Sequence, residues 1–250
     1  MKIGLFGYGK MGKAIERIAE AQGHEIAWRI SRENRTEYTP ERLREADVVI
    51  EFTRPESAFS NVMACLEAGV PVVCGTTGWA TQLPDAQAFC QKNGRAALLW
   101  ASNFSIGVNL FFALNRSLAR LMNARPEYKP SMTEIHHIHK LDAPSGTAIT
   151  LAEGILAELD RKNNWTLVPS ALAPETAADA LPIEAIREGE VPGTHSVRWQ
   201  SEVDEISIQH RAFSRDGFAA GAVLAATWLA GRHGFFTMQD VLFSGMRNEG

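Results

Sequence analysis

Two spacings of apolar residues divide this chain. Lys2–Phe6 is a short apolar run with the length of a strand. Met11, Ala14, Ile15, Ile18 and Ala19 then recur at helical spacing, and Gly23 stops that helix. Glu25–Ile30 reads as a second strand. The segment DVVIEF at 47–52 is apolar without alternation, so it predicts a third strand buried on both faces. Thr53-Arg54-Pro55-Glu56 has the form of a capping box with proline in the first turn, and its helix runs to Ala68 before Gly69. A strand over 71–74, a helix near 80–93 and a strand over 96–102 follow. Strands alternating with helices imply right-handed crossovers and a parallel sheet, an α/β fold.

The pattern changes after Ile106. A helix is predicted near 107–122, a long strand over 129–138, a polar loop, and a helix near 148–160. Residues 161–185 are rich in alanine and proline and read as an irregular surface excursion. Residues 195–200 alternate through Val197 and Trp199, and with 205–213 they predict an antiparallel pair joined at 201–204. A last apolar helix covers 218–230.

With 250 residues, of which 45% are hydrophobic and 22% charged, the chain has material for one large domain or two modest ones. The net charge of -4 argues against a nucleic-acid partner. No apolar run approaches the roughly 20 residues that cross a bilayer, so no membrane partner is expected. Gly4, Gly7 and Gly9 interrupt the first apolar run, which therefore reads as a strand and not as a secretion signal. Cys65, Cys74 and Cys90 form no CxxC pair and read as buried, reduced thiols of a cytoplasmic protein.

Candidate chemistry lies in two stretches. Gly7-Tyr8-Gly9-Lys10-Met11-Gly12 stands between the first strand and the first helix, where glycines let backbone approach a pyrophosphate and a helix N-terminus offers N–H groups. The alternative is a tight turn without a ligand. The acidic residue that usually ends the second strand of such a unit is missing, and Ser31 and Arg32 stand there instead. A hydroxyl and a guanidinium suit a ribose 2′-phosphate, so NADPH is expected in preference to NADH, although Glu33 is close by and a plain solvated loop is the alternative.

The second stretch is EIHHIHKLDAPSGTA at 134–148. Its histidines and Lys140 admit a metal site, but no local carboxylate or cysteine completes a standard ligand set, and no metal is expected. Three ordinary surface histidines are the plainer alternative. The reading preferred here is an anion site with a proton donor. Ser145, Gly146 and Thr147 open a helix and suit a carboxylate, while His137 and Lys140 add charge-assisted bonds. A histidine crowded by a lysine has its pKa depressed.

These residues carry a resemblance. EIHHIHKLDAPSGTA resembles the dihydrodipicolinate reductase signature E-x-H-H-x-x-K-x-D-A-P-S-G-T-A at every fixed position. GYGKMG at 7–12, EFTRPE at 51–56, GTTG at 75–78 and ASNFSIGVN at 101–109 agree in order and spacing, so the resemblance spans nearly the whole chain. It implies a Rossmann domain of residues 1–105 plus 215–250, into which an α+β domain of residues 106–214 is inserted for substrate binding and tetramerisation. It implies reduction of 4-hydroxy-tetrahydrodipicolinate, a cyclic dicarboxylate imine, by a nicotinamide cofactor on the diaminopimelate route to lysine. By position His136 is the catalytic histidine, Lys140 the proton donor, and His137, Ser145, Gly146 and Thr147 the carboxylate ligands. Gly7, Tyr8, Gly9, Lys10, Met11 and Gly12 would line the dinucleotide, as would Gly75, Thr76 and Thr77, and Ala101, Ser102, Asn103 and Phe104. Two departures stand out: the connection from strand two to EFTRPE is short, and Ser31-Arg32 replaces the Glu-Arg of many members. Rival classes are another Rossmann oxidoreductase and a redox sensor that binds NAD(P) without turnover. Neither needs the histidine-lysine loop.

Overall fold

A computed structural model of the chain describes residues 1–34, 38–171, 177–214 and 216–245. It divides into two compact units, one of residues 1–106 with those from 216 on, the other of residues 107–215. Each is built on its own sheet.

The first unit pairs β1 (Lys2–Phe6), β2 (Glu25–Ile30), β3 (Val48–Glu51), β4 (Val72–Cys74), β5 (Ala97–Trp100) and β11 (Gly234–Phe236) in the order β2-β1-β3-β4-β5-β11. Every pair is parallel. On one face α1 (Lys10–Ala21) and α7 (Asp216–Leu229) pack Ile15, Ala19, Ala222 and Ala226 against Leu5, Ile50 and Leu99. On the other, α3 (Pro55–Ala68) and α4 (Leu83–Lys92) pack Val62, Cys65 and Ala86 against Val49, Val72 and Leu98. Covering both faces is what removes alternation from DVVIEF. Strand order reverses at β1, between β2 and β3. The carboxyl ends of strands flanking such a reversal form the crevice where open α/β sheets take ligands.

Three local readings need correction. The helix after EFT has Arg54 as N-cap with no side-chain cap bond, because the Thr53 hydroxyl turns to Glu51 instead of closing a capping box. The segment after Gly78 opens as a 3-10 turn, Ala80–Gln82, before α4. A short α2 (Pro40–Leu43), β11 and α8 (Met238–Phe243) extend beyond the elements predicted.

The second unit consists of α5 (Ile106–Asn123), β6 (Lys129–His136), α6 (Gly146–Leu156), β7 (Asn164–Val168), β8 (Ala180–Arg187), β9 (Thr194–Gln200) and β10 (Glu205–Arg211). Its strand order is β10-β9-β6-β8-β7. β9 runs antiparallel to β6 and β10, while β8 runs parallel to β6 and β7. Phe111, Ala119 and Met122 of α5 and Leu151 and Ile155 of α6 pack on Met132, Ile183, Val197 and Trp199. Residues 161–185 are therefore not an irregular excursion: they contain β7 and the start of β8. Pro182 precedes the part of β8 that pairs with β6, which begins at Ile183. Proline can sit there without breaking that ladder. Among the described residues no helix is long and apolar enough to cross a membrane.

Candidate active site

In the second unit, four segments distant in sequence converge on one buried carboxylate. Alternation along β6 puts Met132, Glu134 and His136 on the helix-covered face. Register then sets His195 of β9 opposite Glu134, and Arg187 of β8 opposite His136. Glu134 is 1% exposed. Its Oε1 accepts the Ser145 N–H at 3.0 Å and Arg187 Nη2 at 3.1 Å. Its Oε2 lies 3.4 Å from His136 Nδ1 and 3.6 Å from His195 Nε2. Burial would raise this carboxyl, but bonds from His195 and Ser145 and the proximity of His136 outweigh it and bring the pKa to about 2. His136 moves down to about 4. Burial is the main cause, Glu134 opposes it, and His195, Lys140 and Arg187 reinforce it. At neutral pH the pair is an uncharged imidazole beside an ionised carboxylate.

β6 ends at His136, two residues short of the predicted strand, so His137 opens the loop. Lys140 Nζ is gripped by both oxygens of Asp142, at 2.7 and 2.8 Å. The peptide between Ala143 and Pro144 is cis. Ser145 is the N-cap of α6: its hydroxyl accepts the Ala148 N–H at 3.2 Å and lies 3.1 Å from His195 Nε2. Its own N–H is donated to Glu134, and Ser145 is only 3% exposed. Gly146 is exposed and Thr147 half-buried in the first turn of α6.

Sequence reasoning missed Arg187 and His195. The inward phase of Val197 and Trp199 extends to residue 195 and was the available signal for the histidine. Arg187 had none, because its strand went unread. Glu134, His136 and His195 bring possible ligand atoms within 4.8 Å of one another. Yet the carboxylate already holds a guanidinium and an N–H, so the set suits a hydrogen-bonded ion pair better than a dication.

In the first unit, the glycine loop follows β1. Gly7 has φ +93°, and a Cβ there would meet the Phe52 carbonyl oxygen at 2.0 Å. A Cβ on Gly12 would meet the Gly7 carbonyl oxygen at 2.2 Å. At Gly9, the N-cap of α1, a Cβ would meet nothing within 4 Å. That is the cradle a pyrophosphate needs: tight turn, close helix packing, and open backbone at a helix N-terminus. Lys10 is exposed and Met11 half-buried beside it, while the Tyr8 hydroxyl bonds Glu16, which also holds Arg29 at 2.6 Å. A cleft of about 720 Å³ opens here, at the ends of β1, β2 and β3, and Ser31, Arg32 and Arg54 line it.

The other expected loops are less uniform. Thr76 is buried. Its hydroxyl donates to Glu51 at 2.6 Å and accepts the Thr53 N–H at 2.8 Å, and its carbonyl accepts from Trp79 and Trp100. Thr77 is exposed beside it. Ala101 and Phe104 are buried, Ser102 is exposed, and Asn103 Oδ1 accepts the Ser105 N–H at 2.9 Å. The Ser31 hydroxyl bonds Asn34 Oδ1 at 3.2 Å, and Arg32 is exposed beside it.

Residues 1–104 match the family model described as dihydrodipicolinate reductase, N-terminus, and residues 107–242 match dihydrodipicolinate reductase, C-terminus. The chain belongs to the dihydrodipicolinate reductase family. A 4-hydroxy-tetrahydrodipicolinate reductase of Christiangramia forsetii is 44% identical over 248 residues, 99% of this chain and 100% of that one. Its counterpart in Methanopyrus kandleri is 39% identical over 213 residues, 84% of this chain and 76% of that one. In fold, a dipicolinate-bound dihydrodipicolinate reductase from Paenisporosarcina sp. TG-14 superimposes with a TM-score of 0.76 at 22% identity, covering 97% of this chain and 99% of that chain. As a family member the chain is an oxidoreductase that reduces 4-hydroxy-tetrahydrodipicolinate with a nicotinamide cofactor on the diaminopimelate route to lysine.

Proposed function

We propose that the reductase works through the 136–147 loop, with Lys140 as proton donor and His136 as the uncharged imidazole beside the reacting ring. The observation that carries this is the burial of His136 against Glu134, His195 and Arg187, which holds its imidazole uncharged, while Lys140 Nζ stands at the loop surface paired with Asp142. A hydride is what the reduced cofactor supplies when bound. The chain's part is to hold the two carboxylates, keep water out, and deliver a proton to the neighbouring ring atom from Lys140 Nζ. His137 and the first turn of α6, at Gly146 and Thr147, hold a carboxylate. Ser145 acts behind them as the cap that fixes the turn.

Gly7, Gly9 and Gly12 hold the pyrophosphate, with Thr77 and Ser102 as exposed side chains of the neighbouring loops. NADPH is preferred over NADH because Arg32 and Arg54 face the cleft where the adenosine ribose enters, and no carboxylate stands at Ser31. Glu33 and Glu56 line the same cleft and keep the preference modest, roughly ten- to hundredfold. The assembly is a homotetramer and its compartment the cytoplasm, where three buried free thiols stay reduced.

The test is oxidation of NADPH and NADH, each with substrate generated in place from pyruvate and aspartate semialdehyde by a synthase. His136→Gln and Lys140→Met are expected to lower kcat on the order of 10²-fold with NADPH binding intact. Near-normal kcat in both variants would remove this site assignment. Equal kcat/KM for the two cofactors at low salt, or NADPH affinity untouched by Arg32→Ala, would remove the preference.

A further inference from the structure

Arg187 is half-buried at the end of β8, and its guanidinium is divided among four acceptors. Nη2 donates to Glu134 Oε1 at 3.1 Å and to the Asp142 carbonyl at 2.6 Å. Nε donates to the Lys140 carbonyl at 3.3 Å, and Nη1 to the carbonyl of Ile186 at 2.9 Å. One side chain thus ties the backbone on both sides of Leu141 to the buried carboxylate of β6. The same carboxylate takes the Ser145 N–H at the other end of the loop. Leu141 itself is 97% exposed, so no apolar packing anchors that turn. The Lys140 ammonium is held from outside, by Asp142.

We propose that Arg187 is a positioning residue for Lys140: its planar fork, seated on Glu134, sets where the 140–142 turn presents the proton-donating ammonium. This rests on the reading of Lys140 given above. A lysine at 187 keeps the charge opposite Glu134 but is a point donor without the rigid fork that spans a carboxylate and two carbonyls. Arg187→Lys should therefore leave the unit folded while loosening the turn.

The experiment is a double-mutant cycle on the full-length enzyme with Arg187→Lys, Lys140→Met and the pair, following kcat, substrate KM, the solvent isotope effect on kcat, NADPH binding by fluorescence and thermal unfolding. Arg187→Lys is expected to lower kcat at least about tenfold and enlarge the solvent isotope effect, with NADPH affinity within about twofold of wild type. In the Lys140→Met background the same change should alter kcat less than about twofold, since a residue acting through Lys140 has nothing left to position. Wild-type kcat in Arg187→Lys, or losses that multiply in the pair, would overturn the proposal while leaving the site reading intact. Near-normal kcat in Lys140→Met alone would overturn both. If Arg187→Lys does not fold, Glu134→Gln with Arg187→Met removes the buried ion pair as a unit and takes its place in the cycle.

Discussion

Glu134 shows what a single buried charge imposes on its surroundings. An unpaired carboxylate at 1% exposure would be costly, and the cost is offset by the N–H of Ser145, the guanidinium of Arg187 and the nearby imidazoles. Its folded pKa of about 2 lies below the ordinary 4.5, so the stability it contributes is complete above pH 4.5 and lost as pH falls toward 2. His136 acts in a higher window. Its folded pKa of about 4 lies below the ordinary 6.5, so the unfolded chain takes up that proton first and stability declines as pH falls from 6.5 to 4. Denaturant unfolding between pH 7 and 4 should show this decline, up to about 1.4 kcal/mol per pH unit for each proton. His136→Gln should flatten it in part; His24 and His210, also lowered by burial, keep the remainder. An unchanged slope in His136→Gln would mean that His136 protonates equally in both states. His136, Lys140 and the serine-glycine-threonine turn were legible in the sequence because they are neighbours in it. His195 and Arg187 were not, since only sheet register brings residues fifty positions away onto the same carboxylate.

Elements were legible where their period was undisturbed. The glycine loop, β2 and the Gly69 stop came directly from spacing, and Gly69 has the left-handed φ of +75° that such a stop requires. The capping box at 53–56 failed because Thr53 had a stronger claim on it: Glu51 needs donors, and a hydroxyl two residues along meets that need. β7 and β8 were hidden by their alanine- and proline-rich connection. The loop glycines can be separated by what each would touch. Gly12→Ala pushes a methyl group into the Gly7 carbonyl, so both Tm and NADPH affinity should fall. Gly9→Ala meets no protein atom within 4 Å, so Tm should hold while the added methyl obstructs a close-lying pyrophosphate. A fluorescence titration giving wild-type NADPH affinity for Gly9→Ala would mean that the dinucleotide does not lie on this backbone. Ser145→Ala removes an N-cap and should cost about 1 kcal/mol, read in denaturant unfolding.

For the whole molecule, the two units differ in how their sheets are covered. The first is sandwiched between helix layers and closes its core by itself. In the second, α5 and α6 lie against the face that carries Met132, Ile183, Val197 and Trp199. The opposite face presents Thr133, Ile135, Glu184, Ile186, Ser196 and Arg198, and all six are only partly buried although they stand on the three central strands. Ile135 and Ile186 are register partners on β6 and β8, so two β-branched side chains sit side by side at the middle of that face. A sheet face of this make-up, apolar at the centre and polar around it, resembles the core and rim of a protein interface. A second copy of the same sheet offers a matching surface, and closed symmetry follows when the same patch serves both partners. The homotetramer proposed above is expected to use this face. Sedimentation equilibrium should then give about four times the chain mass of 27.5 kDa. Ile135→Lys with Ile186→Lys places two charges where the apolar centre must be desolvated, and should lower that mass to a dimer or a monomer. NADPH binding should persist, because the glycine loop belongs to the other unit. A double-lysine variant that stays folded and tetrameric would move the interface to another surface, and a wild-type enzyme that sediments as a monomer at micromolar concentration would dismiss the assembly altogether.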